Sequence, residues 1–255
     1  MRRALIVNAA MTLAKDEIES FLRGFHSSLT AKTADATEVQ SAIRKHPLFK
    51  HQGSKSEWSN WELAFIDQIV LEHLSEYLKE YLDKNSILNG KSLCDVIAAE
   101  SSQAKDRHIA NGTPAWSRGQ PFNKAMGANL DDIYDRWKGN DPKKRKSVFP
   151  AVCPDIALLT PFRVVFECKY FNKPGKRPAA SELVSDLYQA FFYRAMPTKL
   201  AGTAGLKYGW DYEYACFLAY DATRNQRLKR AWDDLSESTR KRFWEDSNIC
   251  VMMLP

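Results

Sequence analysis

Two neighbouring stretches of the chain decide its fold and the chemistry it can perform. They read Pro154-Asp155-Ile156-Ala157-Leu158 and Arg163-Val164-Val165-Phe166-Glu167-Cys168-Lys169-Tyr170-Phe171. Short runs rich in β-branched and aromatic residues predict two consecutive strands. Because strand side chains alternate, Glu167 and Lys169 share one face of the second strand. Val165 lies on the same face as these two residues, and the opposite face carries Val164, Phe166, Cys168 and Tyr170.

A short hairpin between these strands would bring the carboxylates of Asp155 and Glu167 together beside the ammonium group of Lys169. Hard divalent cations such as Mg²⁺ prefer oxygen ligands, so both carboxylates and the main-chain carbonyl of Cys168 could hold Mg²⁺, with Mn²⁺ as a substitute. Lys169 would orient or deprotonate an attacking water and stabilise charge on a phosphate. The alternative is a surface ion network, which predicts no response to metal.

The segments around the two strands predict an α/β fold. Helical spacing of apolar residues predicts earlier helices over Ala4–Leu29, Asp35–Lys45, Trp61–Leu82 and Lys91–Ile109. Strands are predicted over Val148–Val152, Ile156–Thr160, Arg163–Phe171, Tyr212–Tyr220 and Ile249–Leu254, with helices over Ser181–Met196 and Gln226–Trp244. This order predicts a mixed β-sheet flanked by helices. A helical amino-terminal region, residues 1–90, would precede a core domain of residues 91–255.

The helix predicted over Ser181–Met196 carries a polar face. Glu182, Asp186, Gln189 and Tyr193 lie within about 60° of one another, and Leu183, Val184, Leu187, Ala190 and Phe191 cover the opposite side. Together, Pro154-Asp155, Glu167-x-Lys169 and Gln189-x-x-x-Tyr193 resemble the motifs of the PD-(D/E)xK nucleases. That superfamily includes most type II restriction endonucleases, and its RecB-type branch carries the Q-x-x-x-Y element. The resemblance covers about residues 120–255.

The resemblance implies a restriction-endonuclease-like fold and a Mg²⁺-dependent nuclease in which Asp155, Glu167 and Lys169 are catalytic. Gln189 and Tyr193 would help arrange the active site and contact the substrate strand. The function implied first is a type II restriction or defence endonuclease that cleaves DNA. The alternatives are a RecB-like repair nuclease on single-stranded or branched DNA, and an inactive DNA-binding protein with the nuclease fold. A double-strand cut usually takes two subunits, so a homodimer is expected.

Many members of the superfamily carry another acid on a helix before the first core strand. Gly127-Ala128-Asn129-Leu130-Asp131 resembles that pattern with aspartate in place of glutamate, so Asp131 is a candidate metal ligand and Glu100 is the reserve. Asn129 as a helix N-cap followed by an acid in the first turn explains the same residues structurally. Glu62, three residues after Ser59, fits a capping box and is assigned to helix capping.

Basic residues cluster on both sides of the strand motif. Between Asn140 and Arg177 there are nine Lys or Arg against three acids, an excess equal to the net charge of +6. Phosphate contacts from such side chains provide most non-specific DNA affinity, so a DNA track is favoured over a merely solvated surface. The residues expected to bind DNA are Lys143, Lys144, Arg145, Lys146, Lys173, Lys176 and Arg177.

Composition excludes several other classes of protein. With 255 residues and 44% hydrophobic residues, the chain can bury a core and is not a disordered protein. No apolar run approaches the roughly 18 residues of a membrane span, and the first residues read as a helix and not as a signal peptide. Five widely spaced cysteines without a C-x-x-C pair predict free thiols and a cytoplasmic location.

Overall fold

The computed structural model of the protein describes residues 13–46, 49, 57–85, 97–99, 155–158, 161–172, 179–195 and 213–255. The helices are α1 (Lys15–Lys32), α2 (Ala36–Arg44), α3 (Glu57–Phe65), a π-helical segment (Ile66–Leu71), α4 (Glu72–Lys84), α5 (Ala179–Ala195), α6 (Arg227–Asp233) and α7 (Glu237–Glu245). The strands are β1 (Ile97–Ala99), β2 (Ile156–Leu158), β3 (Val164–Phe171), β4 (Tyr214–Asp221) and β5 (Ile249–Leu254). The predicted helices and strands of the described ranges are thus largely confirmed.

The five strands form one mixed sheet in the order β1-β2-β3-β4-β5. β1, β2 and β3 pair in antiparallel fashion, whereas β3, β4 and β5 are parallel. Parallel neighbours need crossover connections, which helix α5 provides between β3 and β4, and helices α6 and α7 provide between β4 and β5. The α/β class with a mixed sheet flanked by helices is therefore confirmed.

Helices cover both faces of the sheet. On one side of the sheet, the first four helices, α1, α2, α3 and α4, pack against a single face of β3. That face carries Val164, Phe166, Cys168 and Tyr170. A second apolar cluster joins α5 and α6 with the opposite face, including Val165. This division confirms the predicted alternation of β3. Every residue of β4 is buried, as expected of a central strand that is covered on both sides.

Several predicted elements differ from the structure. The helix predicted over Lys91–Ile109 is wrong where it is described, because Ile97–Ala99 pairs with β2, and strand pairing overrides the helical preference of its alanines. β3 begins one residue later than predicted, since Arg163 has a positive φ of 54° that a strand does not accommodate. The helix predicted over Gln226–Trp244 is two helices, because Ser236 caps α7 by accepting a hydrogen bond from the Thr239 amide.

The helix predicted over Trp61–Leu82 contains a π-helical segment that its spacing did not predict. A π-helical turn contains one residue more than an α-helical turn. The extra residue rotates the helix that follows it by about 100° relative to the helix that precedes it. The rotation allows Leu74, Leu78 and Leu82 of α4 to be buried in the same cluster as Phe65 and Ile66. The π-helical segment therefore lets one long helical rod present its apolar residues to a single core.

The first four helices and the sheet share one apolar core. Phe25 of α1 is fully buried, and its ring lies 5.8 Å from Tyr77 in α4 and 6.2 Å from Phe166 in β3. The predicted boundary near residue 90 stays a prediction, but the helices before it and the strands after it pack together.

Replacing Phe25 with alanine is expected to lower the free energy of unfolding by about 3–5 kcal/mol. Urea unfolding is followed by far-ultraviolet circular dichroism and by tryptophan fluorescence. The midpoint urea concentration should fall by the same amount in both signals, because the Phe25 ring packs against both the helices and the sheet. If one signal moved and the other did not, the helical layer would unfold as a separate domain.

Some predicted elements lie outside the described residues, including the strand over Val148–Val152 and the first part of the helix over Ala4–Leu29. Among the residues that are described, no helix is long and apolar enough to cross a bilayer. The three described cysteines, Cys168, Cys216 and Cys250, are free thiols, as predicted.

Candidate active site

Asp155 lies immediately before β2 and is held by the main chain of β3. Its amide donates to the carbonyl of Phe166 at 3.1 Å, and its Oδ2 accepts from the amide of Cys168 at 2.7 Å. These two contacts flank Glu167 in sequence. The antiparallel hairpin thus brings the first predicted carboxylate next to the second, as the sequence predicted.

Glu167 and Lys169 form a short ion pair near the end of β3. Lys169 Nζ lies 2.6 Å from Glu167 Oε1. The Glu167 side chain is only 2% exposed, whereas that of Lys169 is 19% exposed. The pair is therefore accessible to solvent from the lysine side.

A third carboxylate, from Glu62 of α3, completes the group. Glu62 Oε1 lies 3.4 Å from Lys169 Nζ, and its side chain is 32% exposed. The capping role assigned to Glu62 is wrong, because α3 already includes Glu57, so Ser59 lies inside the helix and is not its N-cap. Glu62 is the acid that sequence reasoning missed.

The sequence does contain a feature that marks Glu62. It interrupts an apolar stretch, Trp61 to Ile66, and has no Lys or Arg three or four residues away on its own helix. A charged residue in a buried stretch without a local partner usually finds one elsewhere in the fold. Its partner here is 107 residues away in sequence.

The electrostatics of the group differ from those of isolated side chains. Burial raises the pKa of Asp155 well above its ordinary value, and the nearby Glu167 carboxylate raises it further. Burial by itself lowers the pKa of Lys169, but Glu167, Glu62 and Asp155 outweigh this and raise it above its ordinary value. Lys169 is therefore firmly protonated at neutral pH, which opposes a role as general base in the metal-free protein.

Cys168 contributes its main chain and not its thiol. The side chain is fully buried in the cluster under α1 to α4, and burial, with Asp155 next, raises the pKa of the thiol well above its ordinary value. A strand residue directs its N–H and C=O to the same side. The Cys168 amide points to Asp155, so the Cys168 carbonyl points to the same side of the strand. This is the orientation that the carbonyl would need to bind a metal ion together with Asp155.

Helix α5 packs on the sheet face to which Val165 belongs, and therefore lies over the face that carries Glu167 and Lys169. Leu183, Leu187 and Ala190 pack against the sheet. Two other apolar residues of the same helix, Val184 and Phe191, are 65% and 43% exposed. The buried arc of this helix is narrower than the arc that its apolar residues span.

The polar face of α5 is partly described. Glu182 forms an ion pair with Arg227 of α6 at 3.1 Å, which gives it a structural role. Gln189 and Tyr193 belong to α5, but their side chains lie outside the described part of the structure. Their predicted contacts with substrate stay predictions.

Several predicted site residues lie outside the described ranges. They include the candidate metal ligand Asp131, its reserve Glu100, and the basic residues Lys143, Lys144, Arg145, Lys146, Lys173, Lys176 and Arg177. Their roles in metal or DNA binding stay predictions.

The donor chemistry of the group suits a hard divalent cation. Glu167 and Glu62 offer carboxylate oxygens beside Lys169 Nζ, and Asp155, whose pKa is raised by burial first and by Glu167 next, is an acid of the same group. Among the described residues, no three His, Cys, Asp or Glu side chains are already arranged to hold a metal ion. In this arrangement the ammonium of Lys169 lies between Glu167 and Glu62.

The metal-dependent cleavage that the sequence resemblance implies should fall about 10- to 100-fold when glutamine replaces Glu62, since the substitution removes one negative charge beside the expected metal position but keeps the side-chain size. Glu76→Gln, an exposed site on α4, is the matched control and should leave the rate unchanged. The rate is measured as a function of Mg²⁺ concentration. An unchanged rate in Glu62→Gln would remove this residue from the active site.

Comparisons with known proteins identified no relative: no protein-family model, no curated protein and no solved structure matched the chain. The side chains that contact Lys169 are therefore the basis for inferring the function of the protein.

Proposed function

We propose that the protein is a divalent-metal-dependent nuclease of the PD-(D/E)xK type that hydrolyses phosphodiester bonds in DNA. One observation carries the proposal: the lysine of a Glu-x-Lys strand contacts both that glutamate and a helical glutamate, and the aspartate before the neighbouring strand accepts from the amide of the residue between them. A surface ion network explains this less well, because Glu167 is almost fully buried and Asp155 has a strongly raised pKa.

Asp155, Glu167 and the Cys168 carbonyl would hold Mg²⁺ or Mn²⁺, with Glu62 as a further ligand directly or through water. With all four side chains ionised, Asp155, Glu167, Glu62 and Lys169 carry a net charge of −2, which repels a DNA phosphate. A divalent cation would neutralise this charge and remove the repulsion. When bound, it would supply Lewis-acid polarisation of the phosphate.

Lys169 acts in this proposal as a cation. Its ammonium group would donate hydrogen bonds to a phosphate oxygen and would stabilise the charge that develops there as water attacks. It would also orient the attacking water. Of the two roles predicted from sequence, charge stabilisation fits the raised pKa of Lys169 better than deprotonation of water does.

The proposed substrate is double-stranded DNA, cut by a homodimer of restriction or defence type in the cytoplasm. The net charge of +6, concentrated around the strand motif in sequence, supports a polyanionic substrate. Free thiols are compatible with a reducing compartment. Two copies would place one active site on each strand.

The test is incubation of supercoiled plasmid and linear phage DNA with the full-length protein and Mg²⁺, beside an EDTA control. Discrete metal-dependent fragments support a sequence-specific endonuclease, and their mapped ends identify the site. Size-exclusion chromatography with light scattering tests the homodimer.

Two other results would change the proposal. A metal-dependent smear, with faster loss of single-stranded or branched DNA, would favour the RecB-like repair nuclease. DNA binding without cleavage in either metal would favour an inactive DNA-binding protein that has kept the nuclease fold.

A further inference from the structure

A buried hydrogen-bonded pair lies next to the helix that carries Glu62. His46 follows α2, and its Nε2 lies 3.0 Å from Oδ2 of Asp67, the second residue of the π-helical segment. The side chains are 1% and 0% exposed. An acid buried in an apolar layer is costly unless it is paired, so Asp67 favours the helical arrangement in which it meets His46.

The same end of α2 contacts α3 a second time. The Arg44 guanidinium lies 5.7 Å from the centre of the Trp61 ring, and that ring stacks on Tyr170 at 5.8 Å and 8°. Trp61 precedes Glu62, and Tyr170 follows Lys169. Glu62 and Lys169, which contact each other in the site, are therefore sequence neighbours of the two stacked rings.

The π-helical segment determines which way Glu62 points. α4 is held in the core by Leu74, Leu78 and Leu82. If the segment relaxed to an ordinary α-helix, α3 would rotate by about 100° relative to α4, and Glu62 would leave Lys169. π-Helical turns are rare and strained, and they persist where side chains hold them.

We propose that His46 and Asp67 are a positioning pair that stabilises the π-helical segment and so keeps the Glu62 carboxylate at the metal position beside Lys169. Neither residue touches the substrate. This inference rests on the proposed function, because it assumes that Glu62 contributes to metal binding.

The experiment measures Mn²⁺ binding by calorimetry and Mn²⁺-dependent DNA cleavage in the full-length protein. His46→Leu removes the hydrogen bond between the two side chains. Asp67→Asn removes the carboxylate with little change in side-chain size, and it replaces His46→Leu in the experiment if that variant does not fold. His46→Gln keeps a donor where Nε2 lies and should restore function. Ile43→Ala, a fully buried site on α2, is the control for lost packing alone.

His46→Leu and Asp67→Asn should weaken Mn²⁺ binding about tenfold, whereas His46→Gln and Ile43→Ala should stay within about twofold. In a Glu62→Gln background the same two substitutions should have no further effect, because they act through Glu62. A merely structural pair would weaken binding equally in both backgrounds.

Two results would overturn the inference, and they are distinguishable. If the unsubstituted protein binds Mn²⁺ and cleaves DNA but the pair-breaking variants bind Mn²⁺ as well as it does, only the positioning role fails. If the unsubstituted protein neither binds Mn²⁺ nor cleaves DNA, the proposed function fails as well, and Glu62 has no cation to bind.

Discussion

Replacing Lys169 with methionine is expected to reduce the cleavage rate by about 10²–10³-fold, because the substitution removes the cation that would stabilise charge on the scissile phosphate. DNA affinity should change little, since most of it comes from phosphate contacts elsewhere. Cleavage of plasmid in Mg²⁺ and filter binding in Ca²⁺ measure the two quantities separately. Methionine keeps the length of the side chain, so the loss reports on charge.

The same variant should also be less stable in EDTA. Lys169 is the cation between Glu167 and Glu62, and its loss leaves the buried Glu167 carboxylate without that partner. Breaking a buried ion pair costs about 3–5 kcal/mol. Burial and the adjacent Glu167 already raise the pKa of Asp155, and Lys169 opposes this, so losing Lys169 lets Asp155 take up its proton at higher pH; the deficit should therefore shrink as the pH falls from about 8 to about 5.

Lys229→Met is the matched control. Lys229 lies 2.7 Å from Asp233, a distance close to that of the Lys169–Glu167 pair, but the side chains of this pair are much more exposed. An exposed pair contributes about 0–1 kcal/mol, so this variant should unfold like the unsubstituted protein and cleave DNA normally. Equal effects of the two substitutions would mean that Lys169 is an ordinary surface lysine, which would refute the proposed mechanism.

The parts of the site that local patterns determine were predictable. Strand alternation places Glu167 and Lys169 on one face, and a short hairpin brings the start of β2 to the middle of β3. Both depend on the covalent chain over fewer than about 20 residues, where periodicity is informative. Asp155, Glu167 and Lys169 could therefore be predicted as one group from the sequence.

Glu62 depends on how a helical layer packs against the sheet, and that information is not local. Its neighbours along the helix are consistent with a capping box, and only the tertiary structure shows that α3 starts earlier. The π-helical segment was missed for a related reason: its spacing differs from an α-helix by one residue, which short apolar repeats do not resolve. Long-range packing thus determines the third acid.

Replacing Asp155 with asparagine is expected to abolish cleavage and at the same time to stabilise the metal-free protein at about pH 8. Loss of a charged ligand removes several kcal/mol of transition-state stabilisation, or about 10³-fold in rate. The stability gain follows from the raised pKa of Asp155, which reflects burial and the adjacent Glu167. Asparagine keeps an oxygen that can accept from the Cys168 amide but carries no charge.

The sign of the pH dependence follows from the raised pKa of Asp155. In the folded protein Asp155 binds its proton more tightly than in the unfolded chain, so its contribution to stability is full below about pH 4 and is lost as the pH rises through the folded-state pKa. The amide that replaces the carboxyl group in the variant does not titrate. The difference in melting temperature between the variant and the original protein should therefore be near zero at about pH 4 and favour the variant by about 2–4 °C at about pH 8 in EDTA.

Asp221→Asn is the control for this experiment. Asp221 is also buried, but its carboxylate accepts from the Thr223 amide at 3.1 Å and the Leu228 amide at 2.8 Å, through different oxygens. An amide group cannot accept at both positions, so this variant should melt at a lower temperature. Mn²⁺ should raise the melting temperature of Asp221→Asn but not that of Asp155→Asn. If Asp155→Asn kept its response to Mn²⁺, Asp155 would not be a metal ligand. If its gain in melting temperature were the same at both pH values, Asp155 would not be a strained carboxylate.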